Sequence, residues 1–271
     1  MNANDTTNGT TWVRLPNRGV LRVGGEEAES FLQNLVSNNV QPAAPGTGVY
    51  ATLLTPQGKF LHDFFVARDA EGALLLDCEA DRLEDLKKRL TMYKLRARVD
   101  LAVVSDDWDV VAVLAGGVGA PVEYADPRHD GLGARALVPA GADIPGEEAP
   151  FEAYERRRLE CGVPDGSRDM EVERSFLLEN RIDEFHGIDF KKGCYVGQEL
   201  TARTKYRGNV RKRLVAVSVA GDLPEPGTPV TADGKEVGTL RTGLGDRALA
   251  MLRIERPEGE LRAGEATITP L

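Results

Sequence analysis

The C-terminal stretch from Arg211 constrains the fold most, because its patterns are all those of short strands. Apolar residues alternate over 214–219, and Asp233-Gly234 is a strong hairpin signal. Two further strand patterns lie at 247–254 and 266–269. Short strands at even spacing, with no helix pattern between them, predict a small antiparallel β-barrel or a sandwich as a C-terminal domain.

Upstream of this stretch, strand and helix patterns alternate, which predicts an α+β fold. The firmest unit is a hairpin whose strands lie at 49–54 and 59–67. Thr55-Pro56-Gln57-Gly58 joins them with proline at the second position and glycine at the fourth, as a type I turn prefers. Asp81 begins an amphipathic helix, and another helix near 151–161 completes an order of elements of the ferredoxin-like type.

The composition is ordinary for a soluble globular protein, with 41% hydrophobic and 28% charged residues in 271. No apolar run approaches the ~20 residues that a membrane span needs. Met1–Thr11 is polar and lacks the basic and apolar regions of a secretion signal, so we expect a disordered lead. Three widely spaced cysteines, Cys78, Cys161 and Cys194, do not make a disulfide framework. We therefore expect a cytoplasmic monomer.

The most unusual local sequence places Cys194 between two glycines, Gly193 and Gly197, just after a pair of lysines. Glycine visits positive φ without strain, so this backbone is suited to a tight turn or a close approach. The residues that follow predict a short helix over 198–206 that ends at Gly208. A thiol ahead of a helix N-terminus and beside two ammonium groups is favoured as a thiolate, which predicts a reactive cysteine.

The charge distribution also marks this region. The chain carries a net charge of −9, whereas residues 187–213 hold eight basic and two acidic residues, which leaves −15 on the remainder. A basic island in an acidic protein indicates an anionic ligand. The alternative is a cationic turn that packs against the acidic remainder.

Lys192-Gly193-Cys194-Tyr195-Val196-Gly197-Gln198-Glu199 resembles the K-G-C-Y-x-G-Q-E signature of the YgfZ family of folate-binding proteins, which are relatives of the glycine-cleavage T-protein, an aminomethyltransferase. The resemblance continues through Thr201–Gly208. Arg18-Gly19-Val20-Leu21, Phe31-Leu32-Gln33 and the turn region Leu53–Lys59 are similar to the opening blocks of the family.

This resemblance implies three lobes arranged as a cloverleaf around a central folate channel. A discontinuous first lobe would comprise residues 12–50 and 165–208, and a ferredoxin-like second lobe would comprise 51–164. Residues 209–271 would form the C-terminal barrel. The implied function is that of a tetrahydrofolate-binding accessory protein for the assembly or repair of iron–sulfur clusters in client enzymes.

Cys194 is the first candidate for the chemistry. A single thiol cannot hold an iron–sulfur cluster, which takes about four ligands. It could act as a nucleophile, as a redox thiol, or as one ligand in a site shared with a partner protein. Cys78 and Cys161 are expected to lie in the core.

The candidate folate ligands come from the resemblance as well. Arg158-Leu159-Glu160-Cys161-Gly162 is similar to a T-protein block whose carboxylate binds the pteridine ring, which assigns that role to Glu160. A carboxylate can accept from adjacent N–H donors of the ring. The alternative is a surface glutamate paired with a nearby arginine. The other predicted cofactor-binding residues belong to the signature region: Lys192, Gly193, Tyr195, Gly197, Gln198, Glu199 and Arg203.

A second function class remains open. The strand 58–64 resembles the T-protein strand that carries paired aspartates, one of them catalytic, but here the pair is His62-Asp63. Asp63 is therefore the candidate acid–base residue of a folate-dependent one-carbon transferase, and the missing aspartate counts against this activity. An RNA-contacting module that uses the basic island is a third possibility, which the net charge of −9 makes the weakest. The three histidines have no metal-ligand spacing, so no metal site is predicted.

Overall fold

The computed structural model describes residues 9–208 and 210–271. The strands of the described chain are β1 (Thr11–Arg14), β2 (Arg18–Gly24), β3 (Val49–Leu54), β4 (Phe60–Arg68), β5 (Leu74–Glu79), β6 (Asp100–Val103), β7 (Trp108–Ala115), β8 (Val122–Ala125), β9 (Ala134–Pro139), β10 (Glu147–Glu148), β11 (Lys212–Ala220), β12 (Pro229–Ala232), β13 (Lys235–Leu244), β14 (Arg247–Arg253), β15 (Leu261–Ala263) and β16 (Ala266–Pro270). Its α-helices are α1 (Ala28–Gln33), α2 (Leu83–Lys94), α3 (Phe151–Glu160), α4 (Gly166–Asp169) and α5 (Gln198–Arg207).

The first sheet has the strand order β3-β4-β5-β2-β6 and is antiparallel throughout. Its two faces are both buried. Along β5, Leu74 and Leu76 belong to the same core as Leu86 and Leu90 of α2, whereas Leu75 belongs to a core on the opposite face. This alternation follows from the two-residue period of a strand. The sheet is thus covered by helices on one side and by the rest of the molecule on the other.

The second sheet has the order β10-β1-β7-β9-β8, in which only β10 and β1 are parallel among the pairs that the described residues form. It shares a core with the inner face of the first sheet, through side chains such as Val110 and Leu137 on one side and Phe65 and Leu75 on the other. The molecule is therefore organised around the contact between these two sheets.

The C-terminal domain is a closed barrel with the order β11-β14-β13-β12-β15-β16. Val217, Leu240, Ala250 and Ile268 belong to its core. The barrel, and not the sandwich, is thus the correct alternative for this strand-rich stretch. Closure removes the edge strands that a small open sheet would expose. Residue 209, where the predicted domain begins, lies outside the described residues.

The predicted α+β fold and the hairpin at 49–67 are confirmed. Gly58 has φ +71°, and the pairing of β3 with β4 shifts register between Leu53 and Leu54. A type I turn followed by a left-handed residue usually brings such a bulge. The predicted helix at 198–206 is also present as α5, and Gly208 caps it at φ +67°.

The predicted boundary between the first and second lobes does not match the sheets. It falls inside β3 (Val49–Leu54). Within the predicted first lobe, β1 pairs with β7, and β2 pairs with β5 and β6, although these partners were assigned to 51–164. Local patterns indicate where a strand lies, but long-range antiparallel pairing decides which strands share a sheet.

Candidate functional site

The loop that carries Cys194 is anchored by the residue two positions before it. The Nζ atom of Lys192 donates hydrogen bonds to the carbonyl oxygens of Gln33 and Val36, both at 2.7 Å, and of Asn38 at 2.8 Å. These carbonyls lie at and beyond the C-terminal end of α1, where carbonyl groups lack helical partners and a cation is favourable. Burial lowers the pKa of Lys192 to about 8. Lys192 therefore fixes the loop to the first sheet's helix layer.

A close contact between two glycine turns fixes the other end of the loop. Gly197 has φ +82°, and a Cβ placed on it would lie 2.6 Å from the carbonyl oxygen of Thr55 and 3.0 Å from Cα of Gly58. Only glycine fits both the backbone angle and the space. The signature segment and the turn between β3 and β4 therefore contact each other directly.

Cys194 itself is exposed between these two anchors. It lies four residues before the first residue of α5, and not at the N-cap, which is Gly197. Gly193 does not have positive φ, and no atom lies within 4 Å of an ideal Cβ on it. The predicted need for glycine thus holds at Gly197 and not at Gly193.

The other two cysteines have different surroundings. Cys78 is buried in β5, and burial raises the pKa of its thiol. Cys161 is partly buried, and burial together with the nearby Glu160 carboxylate raises the pKa of its thiol. Cys194 is therefore the one exposed thiol of the described chain.

The remaining signature residues divide into buried and exposed members. Tyr195 is buried, and burial raises the pKa of its phenol to about 12. Gln198 is partly buried at the start of α5. Glu199 and Arg203 are exposed on the same helix. The loop is thus held by three of the signature residues, Lys192, Tyr195 and Gly197.

Asp63 and His62 lie on opposite faces of β4, as consecutive strand residues must. Asp63 is buried on the inner face, where its Oδ2 atom accepts a hydrogen bond of 2.8 Å from the Tyr50 hydroxyl. Burial raises the pKa of the Asp63 carboxyl. His62 is buried on the helix-covered face, with its Nε2 atom 2.9 Å from Oδ2 of Asp85, and burial lowers its pKa to about 4. His62 and Asp63 therefore do not face the same site.

The inner face also carries charged residues that sequence reasoning missed. The guanidinium carbons of Arg135, Arg128 and Arg18 lie 4.0, 4.6 and 5.7 Å from the ring centre of Phe65. Asp77 accepts from Nε of Arg18 at 2.7 Å and from Nε of Arg135 at 2.9 Å. A buried ion needs such a partner, because leaving one unpaired costs several kcal/mol, of order 3–5. The contact between the sheets therefore combines apolar side chains with paired buried charges.

The third arginine of this group has its own partner. Arg128 donates to both oxygens of Asp126, at 3.0 and 2.8 Å, and to the Tyr154 hydroxyl at 3.0 Å. Burial opposes ionisation of Asp126, but Arg128 outweighs it and lowers the pKa of this carboxyl. Tyr154 belongs to α3, so the network extends from the second sheet to that helix.

A second buried network links α3, α4 and the barrel. Arg158 donates to Glu155 at 2.7 Å, to Asp169 at 2.9 Å and to the hydroxyl of Thr242 at 2.7 Å. Arg158 and Asp169 are almost fully buried. Residues from three elements therefore meet in one ion cluster, which fixes the position of the barrel.

Glu160 lies outside both networks. It is half-exposed at the end of α3, and one of its oxygens lies 3.5 Å from Nε of Arg156. Arg156 also pairs with Asp246 at 3.1 Å. This is the surface pairing that the sequence left open as the alternative.

A pteridine ring requires a carboxylate that accepts hydrogen bonds from its N–H groups. Among the described residues, Oδ1 of Asp63 accepts no hydrogen bond, whereas Oδ2 accepts from Tyr50. A Cβ on Gly166 would lie 3.1 Å from that Oδ1 atom, so the absence of a side chain there leaves room beside it. One oxygen of Asp63 is thus available to an N–H donor of such a ring, whereas an oxygen of the half-exposed Glu160 lies 3.5 Å from Nε of Arg156.

Neither a metal-binding cluster nor a membrane-spanning helix is found among the described residues. No group of three or more histidine, cysteine or acidic side chains among them is arranged to hold a metal ion. None of the helices that the structure describes has both the length and the apolar character needed to cross a bilayer.

Comparison with known proteins defines the class of this fold. Residues 8–117 match the GCVT N-terminal domain, and residues 211–271 match the CAF17 C-terminal beta-barrel domain. The structure of glycine cleavage system aminomethyltransferase T from Bartonella henselae superposes with a TM-score of 0.72, over 98% of this chain and 86% of that one, at 13% identity. The chain thus has the fold of the T-protein group, as the sequence resemblance implied.

The relatives in sequence narrow this class. The iron–sulfur cluster assembly factor IBA57 of Mus musculus is 35% identical over 93% of this chain and 81% of its own length. The human IBA57 is 34% identical over 96% and 83%, and the homolog of Mycosarcoma maydis is 34% identical over 91% and 75%. The chain belongs to the IBA57 family.

The same relatives correct one prediction. All three are named as mitochondrial proteins, which contradicts the cytoplasmic location expected from the cysteine content and the polar N-terminus. Free cysteines indicate a reducing environment, and such an environment is not limited to the cytoplasm.

Proposed function

We propose that this protein is an accessory factor for the assembly or repair of iron–sulfur clusters, and that Cys194 is the residue that meets the cluster. The names of its relatives support the first part, since they are iron–sulfur cluster assembly factors. The exposure of Cys194 supports the second part.

The observation that carries the proposal is an exposed thiol on a fixed loop. Lys192 and Gly197 hold the loop at both ends, so Cys194 is presented at a defined place on the surface. One thiolate supplies only one of the roughly four ligands that a cluster takes. The remaining ligands must come from a partner, so the partners are iron–sulfur assembly or client proteins.

The experiment compares two cysteine variants in the maturation of an iron–sulfur client enzyme from its cluster-free form. Cys194→Ser should lower the maturation rate by at least roughly tenfold, the scale on which metal-site substitutions act. Cys161→Ser is the matched control and should leave the rate nearly unchanged, since that thiol is partly buried. A Cys194→Ser protein that matures the client at the normal rate would rule the proposal out.

Tetrahydrofolate is the second component of the proposal. The T-protein fold and the fit of the inner face at Asp63 support it. Asp63 would accept from the pteridine, and Tyr50 would orient the carboxylate through its other oxygen. Bound folate would supply a one-carbon carrier beside a buried carboxyl.

A folate-dependent one-carbon transferase is the second candidate function. The buried Asp63 favours it, because burial raises the pKa of its carboxyl, which is the direction that general acid–base catalysis by a carboxyl requires. Steady turnover of an aminomethyl donor that disappears in Asp63→Asn would establish this activity. Turnover that persists in that variant would exclude Asp63 as its acid–base residue.

A further inference from the structure

A cleft of about 670 Å³ lies where α5 ends and the barrel begins. Gly208 closes it on the helix side, and the start of β11 and the end of β14 close it on the barrel side. Its charged lining residues are Arg211, Lys212, Arg253 and Glu255, so three cations face one acid. None of this lining belongs to the Cys194 loop or to the inner face at Asp63.

The three cations are placed against one another. Lys212 and Arg253 are direct partners across the antiparallel pair of β11 and β14. Arg211 comes next, since its carbonyl oxygen accepts from the amide of Ile254 at 2.9 Å. Like charges directly opposite on neighbouring strands destabilise a sheet. The repulsion between these cations therefore destabilises the protein. An anion bound in the cleft would reduce this repulsion.

Two nearby cations form ion pairs with acidic side chains, whereas these three form none among the described residues. Lys205 pairs with Asp183 at 2.8 Å, and Arg241 pairs with Glu171 at 2.7 Å. Within the residues that the structure describes, Arg211, Lys212 and Arg253 have no acidic side chain within 4.0 Å. All three are exposed. Their charge is therefore available to a ligand.

Apolar side chains border the same surface. Ile254 is 49% exposed in the cleft, and Tyr206 near the end of α5 is 76% exposed. The Tyr206 ring lies 6.4 Å from the ring of Phe190, which precedes the lysine pair. An exposed aromatic ring beside arginines is typical of a protein interface. The surface is thus continuous from the Cys194 loop, along α5, to the cleft.

The Cys194 loop and the cleft are close enough for one partner protein to contact both. Helix α5 has ten residues and is about 15 Å long, and Phe190 packs against Tyr206 near its C-terminal end, so the loop and the cleft lie on neighbouring parts of the surface. A single protein partner that buries about 800 Å² on this side would cover both ends.

We propose that this cleft docks an acidic segment of the iron–sulfur protein that meets Cys194. The inference rests on the proposed function, because it assigns the partner's chemistry. Outside residues 187–213 the chain carries −15, which repels an acidic partner from the rest of the surface and steers it to this side. Ile254 and Glu255 favour a polypeptide over the phosphate backbone of RNA, because the cleft is neither purely polar nor purely cationic.

The test uses a fluorescent peptide of ten glutamates and the full chain, with binding followed by fluorescence anisotropy at low salt. The triple variant Arg211→Glu, Lys212→Glu, Arg253→Glu should bind the peptide at least roughly tenfold more weakly than the unmodified protein. The control variant Lys88→Glu, Arg96→Glu, Arg98→Glu changes the net charge equally at exposed positions outside the cleft lining and should bind normally. Circular dichroism verifies that both variants are folded.

Two results would overturn the inference. One is equal peptide binding by the triple variant and the unmodified protein. The other is a ten-nucleotide RNA that displaces the peptide and binds at least tenfold more tightly, which would assign the cleft to nucleic acid. Cys194→Ser should bind the peptide normally, so a failure of the proposed function in client maturation is distinct from a failure of this inference.

Discussion

Cys194 and Lys192 are two residues apart and have different tasks. The ammonium of Lys192 is held by three carbonyl oxygens of the segment that follows α1, and Cys194 is left in solvent. The sequence pattern assigned both lysines of the pair to the thiol, because proximity along the chain was the only available measure. Where a long side chain points depends on acceptors far away in sequence, here more than 150 positions distant, which no local pattern contains.

Two glycines of the loop allow a matched test at the residue scale. Gly197→Ala should lower the free energy of unfolding by about 2 kcal/mol, because positive φ is strained for alanine and its Cβ would meet the Thr55 carbonyl. Gly193→Ala should change it by less than about 1 kcal/mol, since its surroundings are open. Urea unfolding measures both. Equal losses in the two variants would contradict the account of the loop.

Asp63 is the residue on which folate binding depends in this account. Asp63→Asn keeps an acceptor for Tyr50 but removes the charge, so tetrahydrofolate affinity should fall roughly 10- to 100-fold, as for a hydrogen bond to a charged group. Titration calorimetry measures the affinity. Glu160→Gln is the control and should bind nearly as tightly as the unmodified protein. A reversal of the two effects would return the pteridine to Glu160.

At the scale of elements, β4 separates two environments. Its helix-covered face holds His62 against Asp85 of α2, and its inner face holds Asp63 against Tyr50 of β3. The alternation was predictable from the hairpin, since the strand period is two. The partner of His62 was not predictable, because α2 contacts β4 through tertiary packing, whereas Tyr50 lies on the neighbouring strand of the hairpin.

The buried His62 gives a pH prediction. Its pKa is about 4 in the folded chain, below its ordinary value of about 6.5, so the unfolded chain binds a proton first as the pH falls. Stability should therefore decrease as the pH falls from about 6.5 to 4. In His62→Gln this slope should be reduced, whereas in the exposed His129→Gln it should persist. Urea midpoints at several pH values measure it, and an identical slope in His62→Gln would contradict the assignment.

The barrel and the hairpin were the elements that the sequence predicted best. Asp233-Gly234 and Thr55–Gly58 specify turns by local chemistry, and the strands around them are local partners. The inner networks were missed, although a signal was present: Asp77 and Arg135 each interrupt an apolar strand. A charge in a buried strand indicates a buried partner, but sequence does not name that partner.

At the scale of the whole molecule, buried ions join parts of the chain that are distant in sequence. Arg158 connects α3 to Asp169 of α4 and to Thr242 of the barrel. The local patterns from which the lobe boundaries were predicted do not contain such long-range contacts. Closed barrels are built from consecutive strands, whereas the two sheets exchange strands between distant segments.

Two arginines of α3 test the role of this junction. Arg158→Met leaves buried carboxylates unpaired and should lower the free energy of unfolding by about 3–5 kcal/mol. Arg156→Met removes a half-exposed ion pair and should cost less than about 1 kcal/mol. Thermal and urea unfolding measure both. A loss below about 1 kcal/mol in Arg158→Met would show that the buried cluster does not stabilise the junction.

The role of Cys194 at the cluster is tested most directly by alkylation of the cysteines in the presence of a cluster-loaded iron–sulfur assembly protein, with mass spectrometry to locate the label. Iodoacetamide should modify Cys194 rapidly in the isolated chain and at least roughly tenfold more slowly when the cluster-bearing partner is present, because a thiolate that ligates a metal is not free to react. The same partner without its cluster should protect Cys194 less. Equal labelling of Cys194 with and without the cluster would contradict the account.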